Sequence, residues 1–286
     1  MKRFHTKLLP GGDEAELKQS GIVVGVDEAG RGPVLGPMVY GAAYWSTMPD
    51  PSRCEAKFDD SKKLTEATRE ALYEFISSPQ VPIGYVTCEL TAQLLSEQML
   101  QTPIPVSLNK IAWDCTVELV QRIAKLGYPI RELYVDTVGK EDTYAKFLQD
   151  YFPDTKVTVK SKADSLFKVV SCASICAKVE RDLLLRTWDN HNGETDWGSG
   201  YPGDERTKQW LNGNSNKVFG FPSVVRFSWQ TTKTLLDDPN IGAKVEFPSE
   251  TGGNTMRLSD MFHTSNKRLC CRGLKFTTSL DELLGG

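Results

Sequence analysis

The sequence predicts an α/β or α+β body, and two observations carry that expectation. Short β-branched runs recur from "GIVVGVD" (21–27) to "KVTVK" (156–160), bounded by glycine, proline or charge. Segments with apolar residues at helical spacing lie between and after them, and the earliest strands are spaced as a meander.

Residues 1–20 are polar and lack the continuous apolar stretch of a signal peptide, so they are expected to form a flexible leader. "GIVVGVD" reads as a buried strand. "PMVYGAAYW" (37–45) is a second, reached through the Gly/Pro-rich loop 30–37, and "IGYVTCEL" (83–90) a third. Between them "TEATREALYEFISS" (65–78) is an amphipathic helix with Thr65 as its N-cap. Helices follow over 91–101 and 107–126, the second opening near Ser107 and stopping at Gly127.

"ELYVD" (132–136) is a strand that ends on a carboxylate, 140–152 is helical up to Pro153, and 166–188 is a long helix with a small-residue face. A glycine-rich loop over 192–204 precedes a short helix at 205–212, and a last helix covers 228–237. Beyond Pro239 the chain turns polar, with "SETGGNT" as a linker and a helical pattern returning near 279–284. The expected organisation is a leader (1–20), a body (21–238) and an extension (239–286).

At 286 residues the chain can bury a sizeable core, and 40% hydrophobic with 25% charged residues is a globular composition. No apolar run approaches the ~20 residues of a membrane span. Seven cysteines without a CxxC pair, and only three histidines, argue against a zinc site and for a reducing compartment. The net charge of −3 argues against a general electrostatic binder of nucleic acid. Lys160, Lys162, Lys168, Lys178 and Arg181 do concentrate in one region, although a solvated face is the plain reading of such a cluster.

The acidic residues at strand ends carry more. Asp27 closes the first strand, Glu28 follows it, Asp136 closes "ELYVD", and Asp164 sits just before a long helix. Alone, Asp164 would serve equally well as a helix cap. Adjacent like charges such as Asp27 and Glu28 cost energy unless neutralised, and a hard divalent cation neutralises them. An all-oxygen set without histidine suits Mg²⁺ or Mn²⁺ and points to metal-assisted phosphoryl transfer. GxxxxGK[ST], GxSxG and HExxH are all missing from the sequence.

"GVDEAGRGPVLGPMVYG" (25–41) closely resembles the signature of the type 2 ribonuclease H family. Further matches follow in the family's order: "FDDSKKLTE" (58–66), "VDTVG" (135–139), "KADSLFKVVSCASICAKVERD" (162–182), "GSGYPGDERTKQWL" (198–211) and "FGFPSVVRFSWQT" (219–231). "PVLGPMVYG" and "VRFSW" most resemble the eukaryotic catalytic subunit.

The resemblance implies an RNase H-like mixed five-stranded sheet with flanking helices and a C-terminal helical extension. It implies an endonuclease that cleaves RNA in RNA–DNA hybrids and cuts 5′ to single ribonucleotides in duplex DNA, using two Mg²⁺ or Mn²⁺ ions. Carried over by position, the metal ligands are Asp27, Glu28, Asp136 and Asp164. Gly30, Arg31 and Gly32 would read the ribose 2′-hydroxyl, and Tyr201 would stack on the sugar that follows it. Lys62, Asn109, Arg181 and Thr231 would contact phosphates. The family's eukaryotic enzyme works in the nucleus as a heterotrimer, so residues 239–286 are expected to dock on two non-catalytic subunits. Within them "TMRLSDMF" (255–262) has the spacing of a sliding-clamp peptide, without its usual glutamine and first aromatic residue.

Overall fold

The computed structural model describes residues 2–9, 14–53, 57–58, 64–188, 196–238 and 241. The chain divides into Met1–Lys244 and Val245–Gly286, and the second unit lies outside the described residues, as do the linker, the helix near 279–284 and the clamp-like peptide.

Six strands form one sheet: β1 (Arg3–Lys7), β2 (Ile22–Ala29), β3 (Met38–Ser46), β4 (Gly84–Leu90), β5 (Ile130–Asp136) and β6 (Lys156–Lys160). Their order is β1-β4-β3-β2-β5-β6. β1 to β4 pair antiparallel through β3 to β2, while β2, β5 and β6 run parallel. The sheet is therefore mixed, as expected, with six strands and not five.

The sixth strand comes from the segment expected to be a leader. Arg3 to Lys7 pair with Glu89 to Tyr85. The Lys7 ammonium donates to the carbonyls of Ile76, Val81 and Ile83 at 2.6, 2.9 and 2.8 Å. A short helix, α1 (Glu14–Ser20), then leads into β2.

Helices cover both faces. α4 (Leu108–Ala124) and α5 (Glu141–Tyr151) close one core with Val24, Val26, Leu133 and Val135. α2 (Glu66–Ser77) and α7 (Lys168–Arg186) close the other, around Trp45, Phe58, Ile76 and Ile83. Thr65 caps α2 by accepting from the Thr68 N–H at 3.2 Å, and Ser107 caps α4 through Lys110 N–H at 3.2 Å, both as the sequence indicates. α3 (Ala92–Leu100) follows β4 behind its own cap, Thr91.

α7 presents Cys172, Ala173, Cys176 and Ala177, all fully buried. Small side chains let it sit close on the sheet: a Cβ at Gly25 would lie 2.4 Å from the Val169 carbonyl carbon. The expected long helix over 166–188 is α7, and a short helix that the sequence does not announce precedes it. α6 (Ala163–Leu166) is separated from α7 by Phe167 in an extended conformation, and begins after Lys162 at φ 58.

α8 (Glu205–Gly213) and α9 (Gln230–Asp237) build a third apolar cluster with Val34, Leu35, Trp197, Trp210 and Val225. It ties the segment after β2 to the C-terminal part of the body. No described helix is long and apolar enough to cross a membrane.

Candidate active site

β2 and β5 run parallel with Val26 opposite Val135, which sets Asp27 beside Asp136, the last residue of β5. Asp27 does not close its strand as expected, because pairing with β3 carries β2 on through Glu28 to Ala29. Adjacent strands lie about 4.8 Å apart, which brings the two carboxylates within strong Coulombic range. Asp164 joins from α6, because Asp136 Oδ1 accepts from the Ala163 N–H at 2.8 Å. It is buried in the first turn, and the cap position belongs to Lys162, so Asp164 is not the helix cap.

Asp27 is buried, and its carboxyl is held well above the usual carboxylate range by desolvation first, then by Glu28 and Asp136. The Ser174 hydroxyl and the Glu28 N–H, 2.7 Å from Oδ1, oppose that rise without cancelling it. Ser174 escaped sequence reasoning, since one serine on a small-residue helix face has nothing to mark it. Tyr40, opposite Glu28 on β3, is also pushed up, by burial and then by the Glu28 charge.

Asp27, Glu28 and Asp136 line a cleft of about 600 Å³ that Gly30, Arg31, Gly32 and Tyr201 share. Asp164 is buried and is not part of the lining. Among the described residues no three Asp, Glu, His or Cys side chains already stand as a closed metal-holding set. The donor chemistry nevertheless fits a hard cation: oxygen ligands only, with a buried carboxylate whose charge two neighbours disfavour. Asp27, Glu28, Asp136 and Asp164 would hold it.

The Gly30–Gly32 loop is fixed from behind by Arg226, which has no exposed surface. Its guanidinium donates to the carbonyls of Gly30 (2.6 Å), Arg31 (3.1 Å) and Gly36 (2.8 Å), and lies 4.7 Å from the Trp229 ring centre. Burial first, and then Arg181, push its pKa down to about 9, so it remains a cation at neutral pH. Sequence reasoning missed Arg226. A lone arginine inside "VVRFSW" is its one signal, since such a charge needs an internal partner.

Tyr201 closes the cleft over Gly32, where an added Cβ would lie 3.0 Å from its ring. Its loop is anchored by Val34 N–H to the Gly200 carbonyl (2.8 Å) and by Gly200 N–H to Thr207 Oγ1 (3.0 Å). Asp204 caps α8 and also accepts from Ser199 N–H at 2.6 Å.

The residues expected at phosphates are dispersed. Arg181 lines the cleft but is buried, donating to the carbonyls of Pro37 (3.2 Å) and Leu35 (3.4 Å). A Cβ at Gly30 would lie 2.0 Å from Arg181 Nε, so this arginine fills the space that the glycine leaves. Asn109, at the start of α4, accepts from the Arg31 guanidinium through Oδ1. Thr231 sits in the first turn of α9 and does not line the cleft. Lys62 lies outside the described residues.

The architecture is that of the RNase H-like α/β class. Ribonuclease H2 from Pyrococcus horikoshii OT3 superposes with a TM-score of 0.62 at 30% identity, covering 74% of this chain and 96% of that one. The structure of a PCNA:RNase HII complex from Archaeoglobus fulgidus matches with a TM-score of 0.59 at 28% identity, covering 73% of this chain and 94% of that one. A family model described as Ribonuclease HII matches residues 24–232. One of the ribonuclease H2 subunits of Dictyostelium discoideum is 44% identical over 234 residues, 78% of this chain and 81% of the relative. The chain belongs to the ribonuclease HII family, and it is an enzyme of the ribonuclease H class, an endonucleolytic hydrolase.

Proposed function

We propose that the cleft hydrolyses RNA in RNA–DNA hybrids and cuts 5′ to a single ribonucleotide in duplex DNA, leaving 3′-hydroxyl and 5′-phosphate ends. One observation carries this reading: the carboxylates of Asp27, Glu28 and Asp136 on β2 and β5 share a cleft with the Gly30–Gly32 loop and Tyr201. Charge-handling groups and a sugar-reading element would thus face the same phosphodiester.

Two divalent ions, Mg²⁺ or Mn²⁺, would activate water and stabilise the departing oxygen. Asp27, Glu28, Asp136 and Asp164 would hold and orient them, with Asp136 itself held by the N–H of Ala163 next to Asp164. Gly30 and Gly32 let the backbone approach a ribose closely, because no Cβ intervenes, and a 2′-hydroxyl both donates and accepts there. Tyr201 places a flat ring where the following sugar stacks, leaving little room for a second 2′-hydroxyl. Arg31 and Arg181 line the cleft, and Asn109 holds the Arg31 guanidinium from the start of α4. In this reading Lys62, Asn109, Arg181 and Thr231 would contact the phosphates.

The relatives are named as subunits of ribonuclease H2, which supports a catalytic chain working with two accessory subunits in the nucleus, in ribonucleotide and primer removal. In this reading the unit 21–238 is catalytic and residues 239–286 dock on the partners. The PCNA complex of the archaeal relative supports a sliding-clamp contact through residues 255–262.

The test is a labelled DNA duplex with one ribonucleotide, incubated with the chain and Mg²⁺, with EDTA as control. A single cut 5′ to the ribonucleotide is expected, from the chain alone or with accessory subunits added. Silence in both settings would overturn the reading.

A further inference from the structure

The carbonyls of three consecutive residues, Gly30, Arg31 and Gly32, are all taken by one short segment. Arg226 holds the first two, and Trp229 Nε1 donates to the third at 3.0 Å. A tight turn builds this pair: Trp229 N–H returns to the Arg226 carbonyl at 3.2 Å, and the guanidinium lies on the indole face. Thr232 Oγ1 donates to that same Arg226 carbonyl at 2.9 Å, which locks the turn to the start of α9.

The two holds differ in kind. Arg226 is wholly buried and grips the loop at Gly30, Arg31 and Gly36, as a structural cation would. Trp229 is only half-buried, and it reaches Gly32, the glycine whose added Cβ would meet the Tyr201 ring. Gly32 therefore lies between an aromatic ring on the side where a Cβ would project and an indole N–H on its carbonyl. Its peptide plane is set from the Trp229 side, and its distance to Tyr201 follows from that setting. Trp229 also packs into both the sheet core and the α8–α9 cluster, so the indole has little freedom to follow a shifted loop.

We propose that Trp229 is a positioning residue for sugar discrimination: its indole N–H fixes the spacing between the Gly32 backbone and the Tyr201 ring. The proposal rests on the reading of the cleft as a ribonucleotide-cutting site. Trp229 touches no substrate and takes no part in the chemistry. It sets how well the cleft distinguishes a ribonucleotide followed by deoxyribose from a run of ribonucleotides.

Two variants of the full chain test this, with accessory subunits present if wild type needs them. Trp229→Phe removes the N–H and keeps a ring under Arg226. Replacing the indole of Trp229 by benzothiophene puts sulfur where the N–H was at nearly unchanged shape, which controls for packing loss. The measured quantity is the ratio of kcat/KM for a single embedded ribonucleotide to kcat/KM for a continuous RNA–DNA hybrid. A second readout, in EDTA, is the ratio of Kd for the all-DNA duplex to Kd for the same duplex with one ribonucleotide.

Loss of one well-placed hydrogen bond should lower the kcat/KM ratio about tenfold in both variants. The binding ratio should fall in the same direction. Equal loss on both substrates, or a ratio within twofold of wild type, would overturn the proposal and leave Trp229 as a packing residue. A wild-type chain that cuts neither substrate would instead remove the functional reading beneath it, so the two failures are distinct.

Discussion

The ring of Tyr201 occupies the side of Gly32 on which a Cβ would project, so that a methyl group there would stand 3.0 Å from Cε1. The contact spans the mouth of the cleft and joins the loop after β2 to the loop before α8. Gly32→Ala should push the half-exposed ring aside by a few tenths of an ångström, with little effect on folding. Preference for an embedded ribonucleotide over a continuous hybrid should fall about tenfold, since small misplacements at a reacting centre are costly. Paired cleavage assays on the two substrates check this, and an unchanged preference would separate Tyr201 from sugar reading.

Asp27→Asn removes one charge from a buried group that Glu28 and Asp136 already disfavour. Cleavage should drop by about a thousandfold or more, because stabilisation of transition-state charge is lost. In EDTA the same variant should be more stable than wild type, as a mutual repulsion is relieved. Added Mg²⁺ should raise the melting temperature of wild type and leave that of the variant nearly still. Calorimetry with and without the ion reads both effects, and equal responses to Mg²⁺ would place the ion elsewhere.

Arg226→Met should destabilise the body by about 3 kcal/mol, since three carbonyls lose a charged donor in a buried site. Arg226→Lys keeps the charge without the fork and should fall between. Urea denaturation measures both. A cost below about 1 kcal/mol for the methionine variant would show that the loop holds its shape unaided.

Asp204 supplies the clearest pH dependence outside the acidic cleft. Its carboxyl is held down to about 2 by the Ser199 side chain and backbone, with help from Arg206. The usual unfolded value is about 3.9. A depressed acid stabilises the fold above that value and loses its contribution as pH falls through the folded value. Between about pH 4 and pH 2 the 198–204 loop should loosen, and amide exchange at Ser199 and Arg206 should quicken. In Asp204→Asn this pH dependence should vanish, because the amide does not titrate in that range.

Much of this molecule is written locally. Thr65 and Ser107 cap the helices they precede, and Asp136 closes β5 because it sits at the polar edge of an apolar run, whereas β2 runs two residues past Asp27 on its pairing with β3. What escaped is non-local. "RFHTK" has no apolar face to announce a strand, and only its pairing with β4 makes it one. The break at Phe167 and the left-handed Lys162 bring Asp164 beside Asp136, and neither residue type signals such geometry. Arg226 and Ser174 act on partners 196 and 147 positions away, distances at which sequence spacing carries no information.

β1 has a consequence for how the chain matures. Its partner, β4, follows some eighty residues later in the chain, so Arg3–Lys7 must wait for it before they can be hydrogen-bonded. Until then, and in any variant lacking residues 2–9, β4 presents an open row of amides and carbonyls beside an apolar core. An open strand edge recruits whatever strand arrives first, including that of a neighbouring chain. β1 thus covers the sheet's antiparallel edge, and deleting Arg3–Lys7 should convert folded protein into aggregate.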